Sequence, residues 1–424
     1  MLKNLRNKNI VCSFNDFSNI GFIDFLNNLS KKNNLILLTK NNKANFFLKN
    51  KKIKIILINE KKTYLSKILL YLSINKISSL EKFYHIENVI FQKGLFKKLN
   101  SFIKLIMFFL RIGLNKNFIR SKIYENNNFR IDCDLILTDF RFNELYTNHN
   151  IIYAAKKLKI PTYSIIFSWD NIFSNDVNLI SDKYFISTNK LKLILSSRHK
   201  INKSKIYLIK PFQLNYLSKK NKKMNFTNKE KYLLFLCCSE ENSRASIEEF
   251  EIINFIGDFL KKKKSNIILK VRPYPFYTNK KNIINKIKHK NILIEEYGQK
   301  VIRRVHQHNI EFMRYEKNYK AKTKLIRNSL AVINFFTTIG IESILMKKYT
   351  IFLNLKKQDQ SILGYLKSNY FKVKFLDHYS FLNNRKTYIT SKNMLINNLE
   401  MITKKKNSIT YSKKDYNYFK KYFL

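Results

Sequence analysis

The sequence predicts an α/β protein made of two doubly wound domains, each with a largely parallel sheet covered by helices. Short runs rich in β-branched and aromatic residues alternate with longer amphipathic runs, a pattern typical of strands that alternate with helices. The runs form two series, separated by a polar, lysine-rich stretch at 217–230. With 424 residues and 45% hydrophobic content, the chain is long enough to bury two cores of ordinary size.

The first series predicts strands at 9–14, 35–39, 53–58, 134–138, 162–167 and 205–209. The amphipathic run NELYTNHNIIYAAKKL at 143–158 predicts a helix, which ends just before Pro161 because proline cannot continue a helix. We therefore predict a Rossmann-like amino-terminal domain at 1–215.

The second series predicts strands at 232–237, 266–271, 291–295, 330–335 and 350–354, and helices at 244–262, 280–289, 320–328 and 339–347. We predict a second Rossmann-like domain at 216–400 and a helical tail at 401–424, with a terminal helix at 414–423. Folds of this kind place ligands at the carboxyl ends of strands, so the two domains are expected to face each other across a binding cleft.

The chain is strongly basic, with 81 Lys and Arg against 29 Asp and Glu, a formal charge of +52. Such an excess attracts polyanions and anionic membranes. The alternative is a solvated surface that has drifted in composition, since Lys, Asn, Ile, Phe and Tyr are abundant together. The chain has no nucleic-acid-binding motif, and its aromatic residues lie in apolar runs instead of on a stacking platform. We expect no specific nucleic-acid partner, and we keep an anionic membrane surface as a candidate.

The predicted location is cytoplasmic, peripheral on the inner face of the membrane if any contact exists. The amino terminus lacks the apolar run and cleavage site of a secretion signal, and the four cysteines have spacings that suit neither disulfides nor zinc. The stretch SFIKLIMFFLRIGL at 101–114 is too short to span a bilayer. Lys104 and Arg111 share one face of a helix there, which fits either a buried helix or an in-plane membrane contact.

The segment AVINFFTTIGIESILMKKYTIFLN at 331–354 contains a candidate anion site. Thr337, Thr338 and Gly340 lie where a strand turns into a helix, and a helix start presents free amides and a positive dipole to a phosphate. Glu342 is suited to bind a sugar hydroxyl, as acidic residues bind ribose in other nucleotide sites. The alternative is an ordinary N-cap without a ligand.

A second candidate is Arg272, at the strand end in ILKVRPYPFY. Two prolines stop this strand and stiffen the loop, and the guanidinium offers a planar donor fork that suits a phosphate. The alternative is a surface arginine before a turn. Ser239 and Arg244, in FLCCSEENSRAS, are weaker donor-binding candidates because their segment lacks glycine and looks like a helix cap.

In order and spacing, these features resemble the nucleotide-binding domain of GT-B-fold glycosyltransferases and of related CDP-glycerol glycerophosphotransferase-like enzymes of bacterial surface-carbohydrate biosynthesis. The resemblance covers 228–354. RPYP at 272–275 corresponds to an RPHP-like strand end, and TTIGIESILMKKYTI at 337–351 corresponds to a segment of the form S/T-S/T-x-G-x-E-A-x-x-x-G-K-P.

The resemblance implies a role for each matched residue. Arg272, Thr337, Thr338 and Gly340 would bind the donor diphosphate, and Glu342 would hold the ribose. Among the departures from the pattern, Tyr274 replaces the usual His, and Lys347 and Tyr349 replace Gly and Pro.

The amino-terminal half has one further match, SIIFSWDNIFSND at 164–176, which contains the only tryptophan. It resembles the SWDN segment of bacterial surface-carbohydrate proteins of this fold. Ser168, Trp169 and Asn171 are therefore candidate substrate-binding residues, and Asp170 is a candidate base for the acceptor hydroxyl. The alternative for Asp170 is an Asx-type turn.

Two more strand ends in this half carry candidates. TDFRFNE places Asp139 as a second candidate base and Arg141 beside it, and SFNDFSNIGF offers Asp16 as a third base and Gly21 as an acceptor contact. Each lies at the carboxyl end of a predicted strand, where such folds bind ligands.

Together these features predict a metal-independent GT-B-type transferase. It would move a sugar or glycerol phosphate from a nucleotide-activated donor, its co-substrate, to a surface-polysaccharide or lipid-linked acceptor. No cofactor is expected, and no carboxylate joins His306 and His308 at metal-ligand spacing. The open alternatives are a same-fold sugar-nucleotide epimerase, a non-catalytic glycan- or nucleotide-binding relative, and a basic RNA-binding protein.

Overall fold

A computed structural model divides the chain into two compact units, Met1–Gln213 and Leu214–Leu424. It describes residues 5–14, 20–39, 44, 48, 52–58, 132–139, 145–167, 181–198, 200–209, 212, 231–237, 244–273, 285–295, 321–335, 338–353, 387–389, 391–404, 412 and 416–417. For 20, 145–150, 190, 198, 244–248, 338 and 388, it describes the backbone alone.

The first unit contains a seven-stranded parallel sheet in the order β3-β2-β1-β4-β5-β6-β7. Its strands are β1 (Asn9–Ser13), β2 (Asn34–Thr39), β3 (Ile53–Leu57), β4 (Leu135–Asp139), β5 (Thr162–Ile165), β6 (Lys183–Ile186) and β7 (Ile206–Leu208). Its described helices are α1 (Ile20–Leu29), α2 (Leu145–Lys157) and α3 (Asn189–Arg198).

The central strands of this unit are apolar along their length because helices cover both faces of a doubly wound sheet. All five residues of β4 are buried. On one face, Val11 and Ile136 pack with Ile151 and Ala155 of α2. Phe14, directly after β1, meets Phe22 of α1 with ring centroids 4.6 Å apart.

The second unit contains a six-stranded parallel sheet in the order β10-β9-β8-β11-β12-β13. Its strands are β8 (Tyr232–Leu236), β9 (Ile268–Arg272), β10 (Ile292–Ile294), β11 (Ala331–Asn334), β12 (Thr350–Leu353) and β13 (Tyr388–Ile389). Its described helices are α4 (Arg244–Lys262), α5 (321–328), α6 (Thr338–Leu345) and α7 (Lys392–Lys404).

Helices cover both faces of the second sheet. On one face, Leu269, Val271 and Ile333 join the core formed with α4 and α7. On the other, Leu234 and Val332 join the core formed with α5 and α6. Residues along each strand therefore alternate between two cores.

The predicted fold class of two doubly wound α/β domains is confirmed by these sheets. Each follows the strand order 3-2-1-4-5-6 of dinucleotide-binding folds, and the first adds one more strand. The cleft between the domains stays a prediction. None of the described helices is both long and apolar enough to cross a membrane.

Several elements differ from the sequence predictions. Strands β6 and β13 were not predicted, and helices α1, α3 and α7 were expected only as helical cover of the sheets, without bounds. The helix predicted at 280–289 is wrong over 285–289, where the described backbone forms a turn and an irregular segment. The segment 101–114 lies outside the described residues. So does the predicted terminal helix, apart from the helical residues 416–417.

Candidate functional site

The second sheet has a topological switch point between β8 and β11. From β8 the chain runs outward through β9 to β10, and it then returns to β11 and proceeds in the opposite direction. In such sheets a ligand crevice opens outside the carboxyl ends of the two strands at the switch point. Here those ends are Leu236 and Asn334, and Arg272 pairs with Leu236 from the neighbouring strand.

Arg272 is the last residue of β9, and only 5% of it is exposed. Because Leu269 and Val271 point into the core under α4 and α7, the Arg272 side chain leaves the sheet on the face covered by α5 and α6. Its carbonyl accepts a hydrogen bond from Cys237 N at 3.0 Å, and buried Pro273 follows it. The backbone is fixed on both sides of the arginine, which is therefore not a surface residue before a turn.

A buried ion pair lies on the same face. Lys322 Nζ, at the start of the described part of α5, lies 2.5 Å from Glu342 Oε2 of α6, and each side chain is 5% exposed. Burial lowers the pKa of Lys322, the Glu342 carboxylate opposes that shift, and the positive charge of Arg272 lowers the pKa further. Arg272 is close enough to act on Lys322, so the three residues form one buried charged cluster.

Lys322 was not among the residues predicted at the site, although the sequence contains a signal for it. Lys322 shares a helix face with Leu325 and Ile326 at the i+3 and i+4 positions, and these two residues pack in the core under the sheet. A lysine on the buried face of an amphipathic run is unusual unless it is paired. Glu342 was predicted at the site, but not with a lysine as its partner.

Gly340 has a packing role in this arrangement. It is buried in α6, and a Cβ atom added there would lie 2.5 Å from Asn334 Oδ1 and 2.8 Å from a ring carbon of Phe352. Asn334, at the end of β11, donates from Nδ2 to the Ile351 carbonyl at 3.0 Å. The missing side chain lets α6 lie directly on the ends of β11 and β12, whatever binds at the helix start.

The two departures that follow α6 fit the fold. Lys347 has φ of 64° and closes the helix with hydrogen bonds from Lys347 N to Ile344 O and from Lys348 N to Ser343 O. This is a Schellman ending, whose left-handed residue is usually glycine, as in the resembled family. Tyr349 is a core residue whose hydroxyl donates to Asn398 Oδ1 at 2.7 Å.

The other predicted donor-side residues are described in part or not at all. Thr338 is the first residue of α6 and Arg244 is the first of α4, each with its backbone alone described. Thr337, Ser239 and Tyr274 lie outside the described residues.

In the first unit, two of the predicted residues are described. Asp139 ends β4, beside the corresponding switch point between β1 and β4, and is 2% exposed. Gly21 is buried in α1 instead of lying in the open turn. Outside the described residues are Asp16, Arg141, Ser168, Trp169, Asp170 and Asn171.

Three of the four cysteines are described, and none of the three forms a disulfide. Cys12 and Cys237 are buried, and Cys133 is half-buried. Burial raises the pKa of both Cys12 and Cys133, so neither thiol is activated as a nucleophile. Within the described ranges, no group of three or more His, Cys, Asp and Glu residues could hold a metal ion.

No family model matches the sequence, and no curated protein matches it. Solved structures align over nearly the whole chain. The S. aureus MnaA–UDP co-structure has 12% identity and a TM-score of 0.47, covering 97% of this chain and 90% of its own. The Methanocaldococcus jannaschii UDP-GlcNAc 2-epimerase, in complex with UDP-GlcNAc and UDP, has 15% identity and a TM-score of 0.42, covering 97% and 98%.

A variant of the wall teichoic acid polymerase TagF has 9% identity and a TM-score of 0.42, covering 100% of this chain and 86% of its own. At such identities and TM-scores, these similarities carry no conclusion about what the chain binds. The fold class rests on the two parallel sheets of the chain itself.

Proposed function

We propose that this protein is a GT-B-type transferase. It moves a sugar or glycerol phosphate from a nucleotide-activated donor to a surface-polysaccharide or lipid-linked acceptor. The observation that carries the proposal is the buried cluster of Arg272, Lys322 and Glu342 at the carboxyl edge of the second sheet. This edge is where doubly wound folds bind nucleotides.

The main catalytic contribution is electrostatic. When the bond between the transferred group and the nucleoside diphosphate breaks, negative charge develops on the departing phosphate. The Arg272 guanidinium and the amides at the start of α6 stabilise that charge, and they are already oriented before the reaction begins. Removing one such donor costs about 100- to 1,000-fold in rate in enzymes that rely on it. This mechanism calls on no metal.

The acceptor hydroxyl must lose a proton as it attacks. We propose that a carboxylate of the first unit removes it, with Asp170, Asp139 and Asp16 as the candidates. Asp139 lies at the carboxyl end of β4, beside the switch point of its own sheet. Because Asp139 is buried, the acceptor would have to enter that edge of the sheet to reach it. Substituting each of the three aspartates in turn and measuring the transfer rate identifies the base.

The donor site is tested by measuring thermal stabilisation with a panel of nucleoside diphosphates. We expect at least one diphosphate to raise the melting temperature of the wild type, and Arg272→Gln to remove most of the shift because the guanidinium fork is lost. Lys270→Gln is the matched control. Lys270 lies two positions earlier on the same face of β9, and its ammonium lies 4.6 Å from the Tyr232 ring centroid. The control therefore removes a neighbouring cation and leaves Arg272 in place.

Each outcome of this experiment has a clear meaning. Equal shifts in the wild type and Arg272→Gln would remove Arg272 from the site, and the absence of any shift would contradict the transferase. Ligand-free melting curves show whether Arg272→Gln is folded, and Arg272→Lys supplies a variant that keeps the charge. Conversion of a radiolabelled sugar nucleotide without any acceptor would indicate an epimerase.

A further inference from the structure

We infer that Lys322 is a positioning residue that holds the Glu342 carboxylate in place, oriented toward a ribose hydroxyl of the donor nucleotide. The inference rests on the proposed function, and it assigns a role to a residue that the sequence pattern did not single out. Its basis is the direct contact between Lys322 Nζ and Glu342 Oε2 at the carboxyl edge of the sheet.

Glu342 needs a counter-charge because of where it lies. Its neighbours on α6, Ile341, Ile344 and Leu345, are buried, and Glu342 itself is 4% exposed. A carboxylate in such surroundings requires a counter-charge or hydrogen bonds. The Lys322 ammonium supplies both at Oε2, so the contact holds the Glu342 side chain in one place.

The contact also leaves the carboxylate able to bind a second group. Lys322 approaches Oε2, and a carboxylate offers two oxygens with about four acceptor positions. A ribose hydroxyl donating to Oε1 would make a charge-assisted hydrogen bond, which is stronger than a neutral one. The rigid packing of α6 at Gly340 keeps the carboxylate in one place.

A purely structural ion pair is the competing explanation, because buried pairs often do no more than satisfy each other. The two explanations differ in what they predict for ligand selectivity. A structural pair affects the stability of the unit, whereas a positioning lysine also affects discrimination between ribose and its deoxy analogue.

The experiment measures dissociation constants of a nucleoside diphosphate and of its 2′,3′-dideoxy counterpart. We expect the wild type to bind the ribonucleotide at least about tenfold more tightly than the dideoxy compound, because one charge-assisted hydrogen bond contributes about that factor to affinity. In Lys322→Met this ratio should fall toward one, while Lys322→Arg should restore most of it. Glu342→Gln should reduce the ratio as well.

Lys348→Met is the matched control. Lys348 is the same residue type in the same unit and is 8% exposed, but it lies before β12, at the opposite edge of the sheet, where Nζ donates to the Ser329 carbonyl. The ratio of the two dissociation constants in Lys348→Met should equal that of the wild type.

The outcomes separate the two claims. If no nucleotide binds the wild type, the proposed function fails and this inference fails with it. If nucleotides bind and Lys322→Met keeps the wild-type ratio, the role of Lys322 is overturned while the transferase stands. Should Lys322→Met not fold, an unchanged ratio in Glu342→Gln would overturn the inference equally, because the carboxylate that Lys322 holds would then have no part in ribose selectivity.

Discussion

Lysine occupies helix-end positions that most proteins give to glycine. Lys159, Lys264 and Lys347 have φ values of 57°, 47° and 64°. Each closes its helix with the paired hydrogen bonds of a Schellman ending. A residue with a Cβ atom is strained in this conformation, by roughly 1–2 kcal/mol. The chain has only 7 glycines among 424 residues, and this strain is therefore present at several of its helix ends.

Replacing Lys347 by glycine should therefore stabilise the second unit. We expect Lys347→Gly to raise the free energy of unfolding by about 0.5–1 kcal/mol, because relief of strain exceeds the greater flexibility of glycine in the unfolded chain. Urea unfolding measures the change. Lys347→Ala is the control, since it too loses the ammonium contact with the Tyr416 ring but keeps the Cβ atom. A gain in the alanine variant equal to that in the glycine variant would contradict the strain argument.

At the same scale, Arg272 and Glu342 were predicted from the sequence as site residues, whereas Lys322 was not. Arg272 stands out because it ends a largely apolar strand and precedes two prolines, so its position is defined by local sequence. Lys322 is one of 81 Lys and Arg, and its place on the apolar face with Leu325 and Ile326 is a weaker signal of burial than a strand end before two prolines. Its partner Glu342 lies in the helix after β11, 20 residues further along the chain, so the contact depends on the tertiary fold.

The strands of both sheets were largely predictable because central parallel strands are continuous apolar runs. The missed strands are those for which this signal is weakest. β6 begins with Lys183 and has four residues, and β13 has two residues at the edge of its sheet. The error at 285–289 has a different cause: the backbone carbonyl of Lys286 and the amide of Lys288 hydrogen-bond with Asn254 of α4, which replaces helical bonds.

The amino ends of β11 and β12 are joined by a buried lysine, which gives this edge of the sheet a pH response. Lys348 lies before β12, and its Nζ donates to the Ser329 carbonyl before β11 at 2.8 Å. Burial lowers the pKa of Lys348 from 10.5 to about 8. Between these two values the unfolded chain holds a proton that the folded chain has released, so this lysine makes folding more favourable as pH rises.

Lys348→Met should remove that part of the pH dependence. Below pH 8, Lys348 is charged in both the folded and the unfolded wild type, so the cost of burying the charge is fully present. The free energy of unfolding of the variant should therefore exceed that of the wild type by most in this range. Between pH 8 and 10.5 the difference should shrink as the wild type recovers stability. Urea unfolding at pH 7 and pH 9.5 measures it, and the other lysines cancel because both proteins contain them. A difference that is the same at both pH values would show that Lys348 does not titrate in this range.

At the scale of the whole molecule, two sheets of the same order carry different chemistry at the same edge. In the first unit the switch point is beside the carboxylate of Asp139, and in the second it is beside the cations Arg272 and Lys322. The proposed transferase would use this division, because its acceptor must lose a proton while its donor releases a phosphate.

The charge of +52 acts on the whole molecule. It attracts any anionic surface within about a Debye length, which is about 10 Å at 0.1 M salt. The segment 101–114 is the predicted point of contact with an anionic membrane surface, because its sequence combines Lys104 and Arg111 with apolar residues. A lipid-linked acceptor would then be presented at the same surface.

Sedimentation with lipid vesicles distinguishes this contact from general attraction. The full chain should bind vesicles containing anionic lipid, bind zwitterionic vesicles weakly, and dissociate as salt increases. The double variant Lys104→Glu with Arg111→Glu should lose most of the binding. Lys261→Glu with Lys262→Glu, at exposed positions in the last turn of α4, makes the same change in net charge and should retain it. Equal losses in the two variants would mean that net charge alone drives the attraction, and no binding at low salt would exclude the membrane as a partner.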